Sequence, residues 1–221
     1  MLFVWCKVSF DEKRSHGSAV CETVYFFVEF VCVFPWKCVS LNNQNRGKIM
    51  DGILRKLPIG IQTFEKLREG DYLYVDKTAL VWRIASTETP YFLSRPRRFG
   101  KSLLLSTFEA YFEGKKELFE GLVIANMEKE WKTYPVFHLD LNAEKYDSPQ
   151  ALVEILSRQL TQWELKYGKG EDEETLSGRF AGVIRRACEQ SGRGVVVLVD
   201  EYDKPLLQAL GDDALLDDYR K

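Results

Sequence analysis

From residue 50 onward the apolar positions alternate between two periods. The runs "YFLS" (91–94), "YPVFHLDLN" (134–142) and "VVVLVD" (195–200) are short and rich in β-branched or aromatic residues, the signature of strands. Between and beside them, apolar residues recur every three or four positions: Leu80, Val81, Ile84; then Leu104, Leu105, Phe108, Phe112; then Leu152, Leu156, Leu160, Trp163; then Phe180, Val183, Ile184, Ala187. This spacing predicts four helices, each with one buried face. Asp76 stands ahead of the first and Ser148 with Pro149 ahead of the third, as capping residues do, while Gly114 and Gly168 follow the second and third as stops. Residues 72–75 read as a further short strand. The unbroken apolar run before Asp200 fits a central strand covered on both faces, so strands alternating with helices predict an α/β domain.

Residues 1–49 differ in character. The stretch "ETVYFFVEFVCVFPWKCVSL" is dense in aromatics, Val and Cys, and the polar tract "NNQNRGK" closes it. Its apolar core is shorter than the roughly 20 residues that span a bilayer, Glu29 interrupts it, and no small-residue cleavage site follows. A cytoplasmic protein without a membrane partner is expected. "MDGILRKLPIG" at Met50 reads like a natural protein start. The chain therefore divides into an atypical extension over 1–49, misassigned or disordered, and a partial domain over 50–221; the plainer alternative makes the extension an extra strand or two.

Composition narrows the chemistry. A net charge of −2 gives no general field for nucleic acid, so any phosphate contact must be local. The five cysteines, Cys6, Cys21, Cys32, Cys38 and Cys188, form no CxxC pair, and His16 and His138 are the only histidines; neither a zinc site nor a disulfide framework is expected. His138 lies within a strand run and reads as a packed residue.

Within "SRPRRFGKSLLLS", residues 94–106, Gly100, Lys101 and Ser102 are the back half of a phosphate-binding loop. There the helix N-terminus and loop amides face the phosphates, the lysine reaches the β and γ oxygens, and the hydroxyl serves magnesium. The tripeptide alone would arise by chance in roughly one chain in ten of this length, taking ordinary residue frequencies. Its placement between a strand and an amphipathic helix is the stronger signal; the alternative is a basic turn capping an ordinary helix. Arg95 stands where the usual pattern has its first glycine, and Pro96 removes one amide donor, so the front of the loop departs from the standard form. Arg97 and Arg98 either contact phosphate or face solvent and acidic neighbours. Downstream, Asp200 and Glu201 end the apolar run, where one carboxylate can organise magnesium through water and the other can polarise an attacking water. Asp140 reads as a strand-end residue.

With both motifs placed, the chain resembles the AAA-ATPase-like family, in which a P-loop domain often precedes a PD-(D/E)XK nuclease-like domain. The resemblance is carried by "LPIGIQTFEKLREGDYLYVDKT", "YFLSRPRRFGKSLLLSTFEAYFEGKKELFEGL", "YPVFHLDLN" and "VVVLVDEYDKPLL". It implies a P-loop NTPase-type three-layer α/β/α fold with a mainly parallel sheet, incomplete at its C-terminus. It implies ATP and Mg2+ as ligands, with Arg97, Arg98, Phe99, Gly100, Lys101, Ser102 and Leu103 around the phosphates. Ser102 and Asp200 would serve the metal, and Lys101 and Glu201 the chemistry, Glu201 as base. Such ATPases carry a further strand between the phosphate-loop strand and the acidic strand, bringing a polar sensor residue to the γ-phosphate. After "VVVLVDE" only "KPLLQALGDDALLDDYRK" follows among recognisable pieces, so a gap in the sheet is expected. The expected function is an ATP-binding module that hydrolyses ATP when complete; the alternative is a non-hydrolysing interaction module whose arginines contact nucleic acid or a protein partner.

Overall fold

In the computed structural model, residues 2–8, 55–87, 90–94, 99–142 and 145–220 are described, with the backbone alone given for 2–8 and 220. Each long apolar run forms the strand its pattern predicts: β2 (Tyr91–Ser94), β3 (Val136–Asp140) and β4 (Val195–Asp200). The described helices are α1 (Phe64–Glu69), α2 (Thr78–Ala85), α3 (Lys101–Phe112), α4 (Ile124–Met127), α5 (Pro149–Tyr167), α6 (Leu176–Ser191), α7 (Lys204–Gln208) and α8 (Asp213–Arg220). Of these, α2, α3, α5 and α6 are the four that the apolar spacing predicts. Ser148 accepts from the Ala151 amide and Thr175 from the Gly178 amide, so α5 and α6 begin at side-chain caps. Asp76 Oδ1 accepts from the Thr78 amide at 2.8 Å while Oδ2 accepts from the Val123 amide at 2.7 Å. One carboxylate thus starts α2 and anchors a distant loop.

Alternation along β4 sorts the core. Val196 and Leu198 pack with Leu105, Phe108 and Phe112 of α3, whereas Val195 joins Phe137, Val183, Ile184 and Ala187 beneath α5 and α6. Each such fully buried side chain contributes about 1.5–3 kcal/mol. The α5–α6 pair is further locked by Arg179, whose Nε donates to Glu164 Oε1 at 2.7 Å, and by Arg186, which grips Glu173. Cys188 is buried there, and burial pushes its thiol pKa up. No helix among the described residues is long and apolar enough to cross a membrane.

The sheet order is β2-β1-β4-β3, where β1 (Leu2–Val8) comes from the leading segment. β3 and β4 pair in parallel from Val136↔Val196 to Asp140↔Asp200. β1 runs against both neighbours, Leu2↔Ser94 on one side and Val4↔Val199 on the other. Two expectations are thereby corrected. The sheet is mixed rather than mainly parallel: β2, β3 and β4 share one direction, but two of the three ladders are antiparallel. The place between β2 and β4, expected as a gap, is filled. Both corrections have one physical cause, since unpaired ladder groups at a sheet centre are strongly disfavoured and a strand of either direction satisfies them. The other residues of 1–49 lie outside the described residues.

Residues 72–75 are not a strand. Tyr72 makes a single bridge to Lys56, with no further ladder beside it among the described residues. Four elements had no clear sequence signal: α1, the 3-10 turn Lys116–Phe119, α4 and α8. Tertiary contacts explain them. The Phe64 amide donates to Ser106 Oγ at 2.8 Å, Arg68 Nε donates to the Leu118 carbonyl at 2.7 Å, and Tyr219 donates to the Ser148 carbonyl at 2.7 Å.

Candidate functional site

The carboxyl ends of β2 and β4 meet the start of α3. Gly100 precedes that helix at φ 73°, a left-handed conformation that glycine adopts freely, and a Cβ there would meet open space, so the requirement is conformational rather than steric. Unlike α5 and α6, α3 has no side-chain cap. Its first internal bond runs from the Leu104 amide to the Gly100 carbonyl at 3.0 Å, and the amides ahead of it point out of the helix end.

Ser102, on the first turn, donates from Oγ to Asp200 Oδ2 at 2.7 Å. Lys101 is 5% exposed, Asp200 6% and Glu201 7%. Two acids and an ammonium are rarely this buried without a shared task or strong pairing. Asp200 Oδ1 is buried and has no hydrogen-bond partner among the described residues. An ionised oxygen left in that state calls for water or a cation.

Glu201 sits at φ 57°, an uncommon conformation for a side-chain-bearing residue. The turn is held from both sides. Lys204 donates its amide to the Glu201 carbonyl at 2.9 Å, and the Tyr202 ring packs against Phe92 of β2 at 6.1 Å. Burial first, then the charges of Asp200 and Asp203, push the Glu201 carboxyl pKa up, with the Lys101 ammonium opposing them.

Behind the acids, His138 Nδ1 lies 3.0 Å from Glu109 Oε2 on α3, and its Nε2 is buried with no hydrogen-bond partner among the described residues. Burial works against charging this ring. Glu109, with Asp140 and Asp200 nearby, outweighs that effect and raises its pKa. His138 is thus packed, as its strand position suggested, but against a carboxylate. The period-2 relation of His138 to Asp140 and the seven-residue spacing from Ser102 to Glu109 are the signals that could have found this pairing.

Of the sequence-predicted residues, Lys101, Ser102, Asp200 and Glu201 come together. Phe99 is 62% exposed beside them, and the Leu103 carbonyl accepts from Ser106 Oγ and Thr107 Oγ1 inside α3. Arg95, Pro96, Arg97 and Arg98 lie outside the described residues. A concavity between α5 and α6 is lined by Glu164, Glu173 and Arg179, charges already engaged in ion pairs.

The sequence profile described as "Predicted AAA-ATPase" matches residues 58–221. The chain belongs to the AAA-ATPase-like family. A relative, described as an uncharacterized protein in the vnfD 5' region of Azotobacter chroococcum mcd 1, is 44% identical over 157 residues. That match covers 71% of this chain and 30% of the relative, so the chain spans less than a third of that protein's length. No solved structure matches.

Proposed function

We propose that this AAA-ATPase-like chain binds ATP with magnesium at the end of α3, in a P-loop NTPase-type arrangement of three layers, and hydrolyses it when its domain is complete. The observation that carries the reading is the 2.7 Å hydrogen bond from Ser102 Oγ to Asp200 Oδ2, beside the buried Lys101 and Glu201. The donor set suits the metal: a hydroxyl and carboxylates are the hard oxygen ligands that magnesium takes, and Asp200 Oδ1 is an oxygen in want of a partner. Bound magnesium would neutralise charge on the β and γ phosphates.

The chain's own groups divide the work. Lys101 stabilises the phosphate oxygens, and the helix-end amides of α3 surround them. Ser102 and Asp200 hold the metal side. Glu201 accepts a proton from the attacking water as the new P–O bond forms and the bond to the ADP oxygen breaks. Its raised pKa suits a base, because a more basic carboxylate takes the proton more readily. Arg97, Arg98, Phe99 and Leu103 complete the phosphate surroundings in this reading. In a longer protein, a nuclease-like partner domain would carry any action on nucleic acid.

Titration of a fluorescent ATP analogue into wild type and Lys101→Ala tests the binding. A loss of at least tenfold in the variant is expected, and equal affinity would dispose of the cradle. In a turnover-competent form, Glu201→Gln should keep nucleotide affinity and lose about 10²–10⁴ in kcat. The wild-type rate should rise with pH through a value above the usual glutamate range, where the base becomes ionised.

A further inference from the structure

Asp140 and Asp200 are direct partners in the parallel ladder of β3 and β4, each the last residue of its strand. Both side chains face α3. Asp200 meets Ser102 of that helix, and His138, which shares a face with Asp140 by the period of two, meets Glu109 of the same helix. The strand ends are clasped together: the Leu141 amide donates to the Asp200 carbonyl at 3.1 Å, and Lys204 Nζ donates to both oxygens of Asn142. Asp140 Oδ1 accepts from the Asn142 amide at 2.8 Å, which orients its carboxylate.

Like charges directly opposite one another destabilise a sheet, and side chains so placed are about 5 Å apart. Here one is buried with an oxygen, Asp200 Oδ1, that has no hydrogen-bond partner among the described residues, and the other is exposed on the water side. We propose that Asp140 is the second carboxylate of the magnesium site, accepting a hydrogen bond from a metal-bound water whose other proton goes to Asp200. Magnesium keeps several of its waters when held by one or two carboxylates, and two acids at this separation can share one such water. The inference rests on the nucleotide-and-magnesium reading of the site.

Asp140→Asn separates this role from a structural one, because the amide oxygen still accepts from the Asn142 amide while the charge is gone. The experiment measures binding of a fluorescent ATP analogue to the full chain as magnesium is raised, for wild type, Asp140→Asn and Lys101→Ala. For Asp140→Asn the magnesium midpoint should rise about tenfold, the range seen when outer-shell partners of a metal are removed, with affinity in EDTA unchanged. Its Tm without ligand should equal or exceed that of wild type, since a like-charge contact is relieved. A magnesium midpoint within twofold of wild type, with Lys101→Ala still defective, overturns the role of Asp140 alone. Wild-type binding that ignores both magnesium and Lys101→Ala overturns the nucleotide reading and this inference with it.

Discussion

Ser102 and Asp200, separated by 98 positions in sequence, are joined by one 2.7 Å hydrogen bond that ties the first turn of α3 to the end of β4. The contact satisfies one oxygen of a carboxylate whose other oxygen has no hydrogen-bond partner among the described residues. It therefore sets both the local stability of the acid and the geometry of the proposed magnesium site.

Ser102→Ala should leave Asp200 without its hydroxyl donor in a buried position. Stability should fall by roughly 2 kcal/mol, read as a drop of about 4–8 °C in Tm for a chain of this size. Magnesium-dependent nucleotide affinity should fall as well. Ser102→Thr keeps a hydroxyl and should restore most of both; a Thr variant as impaired as Ala would mean that the hydroxyl is not what matters.

The parts of this site legible in sequence are those where one local pattern carries the whole requirement. Gly100 needs only a left-handed turn before a helix, and Asp200 needs only to end an apolar run, so both could be placed without knowing the neighbours. The Asp140↔Asp200 pairing was not legible, because it depends on which strand lies beside which, and the His138–Glu109 contact was legible only as two separate periodicities that no local pattern joins. The same holds for α1, too short for an amphipathic signal and set by the Phe64 amide on Ser106. Residues 72–75 failed for the opposite reason: their strand-like pattern was clear, but no partner strand lies alongside among the described residues.

The His138–Glu109 pair should make stability depend on pH near neutrality. Burial disfavours the charged ring, yet Glu109 raises its pKa in the folded state above the ordinary value of about 6.5. The folded protein then binds this proton more tightly than the unfolded chain does. The contribution is fully present below about pH 6.5 and is lost as pH rises through the folded value. Urea denaturation at pH 6 and pH 8 checks it: the stability advantage of wild type over Glu109→Gln should be larger at pH 6 and shrink by pH 8. An advantage that is constant or grows with pH would show that Glu109 does not hold an imidazolium.

The last prediction concerns β1, because β2 and β4 share no ladder and only β1 lies between them. Val4 and Trp5 are paired on both sides, with Phe92 and Tyr91 of β2 and with Val199 and Leu198 of β4. Proline has no amide hydrogen and is found on edge strands, so Trp5→Pro removes a ladder bond at the sheet centre and should cost at least about 2 kcal/mol. The loss should be local before it is global. Amide hydrogen exchange in residues 195–199 should accelerate in Trp5→Pro, and more so in a chain beginning at Met50, while amides of α5 and α6, on the far side of β4, keep their protection. Magnesium-nucleotide affinity should fall in parallel, since β2, which leads towards the proposed phosphate loop, is joined to the acid-bearing β4 through β1. Unchanged exchange at 195–199 in both variants would mean that β2 and β4 hold their places without residues 2–8, and that the folded domain begins near Met50.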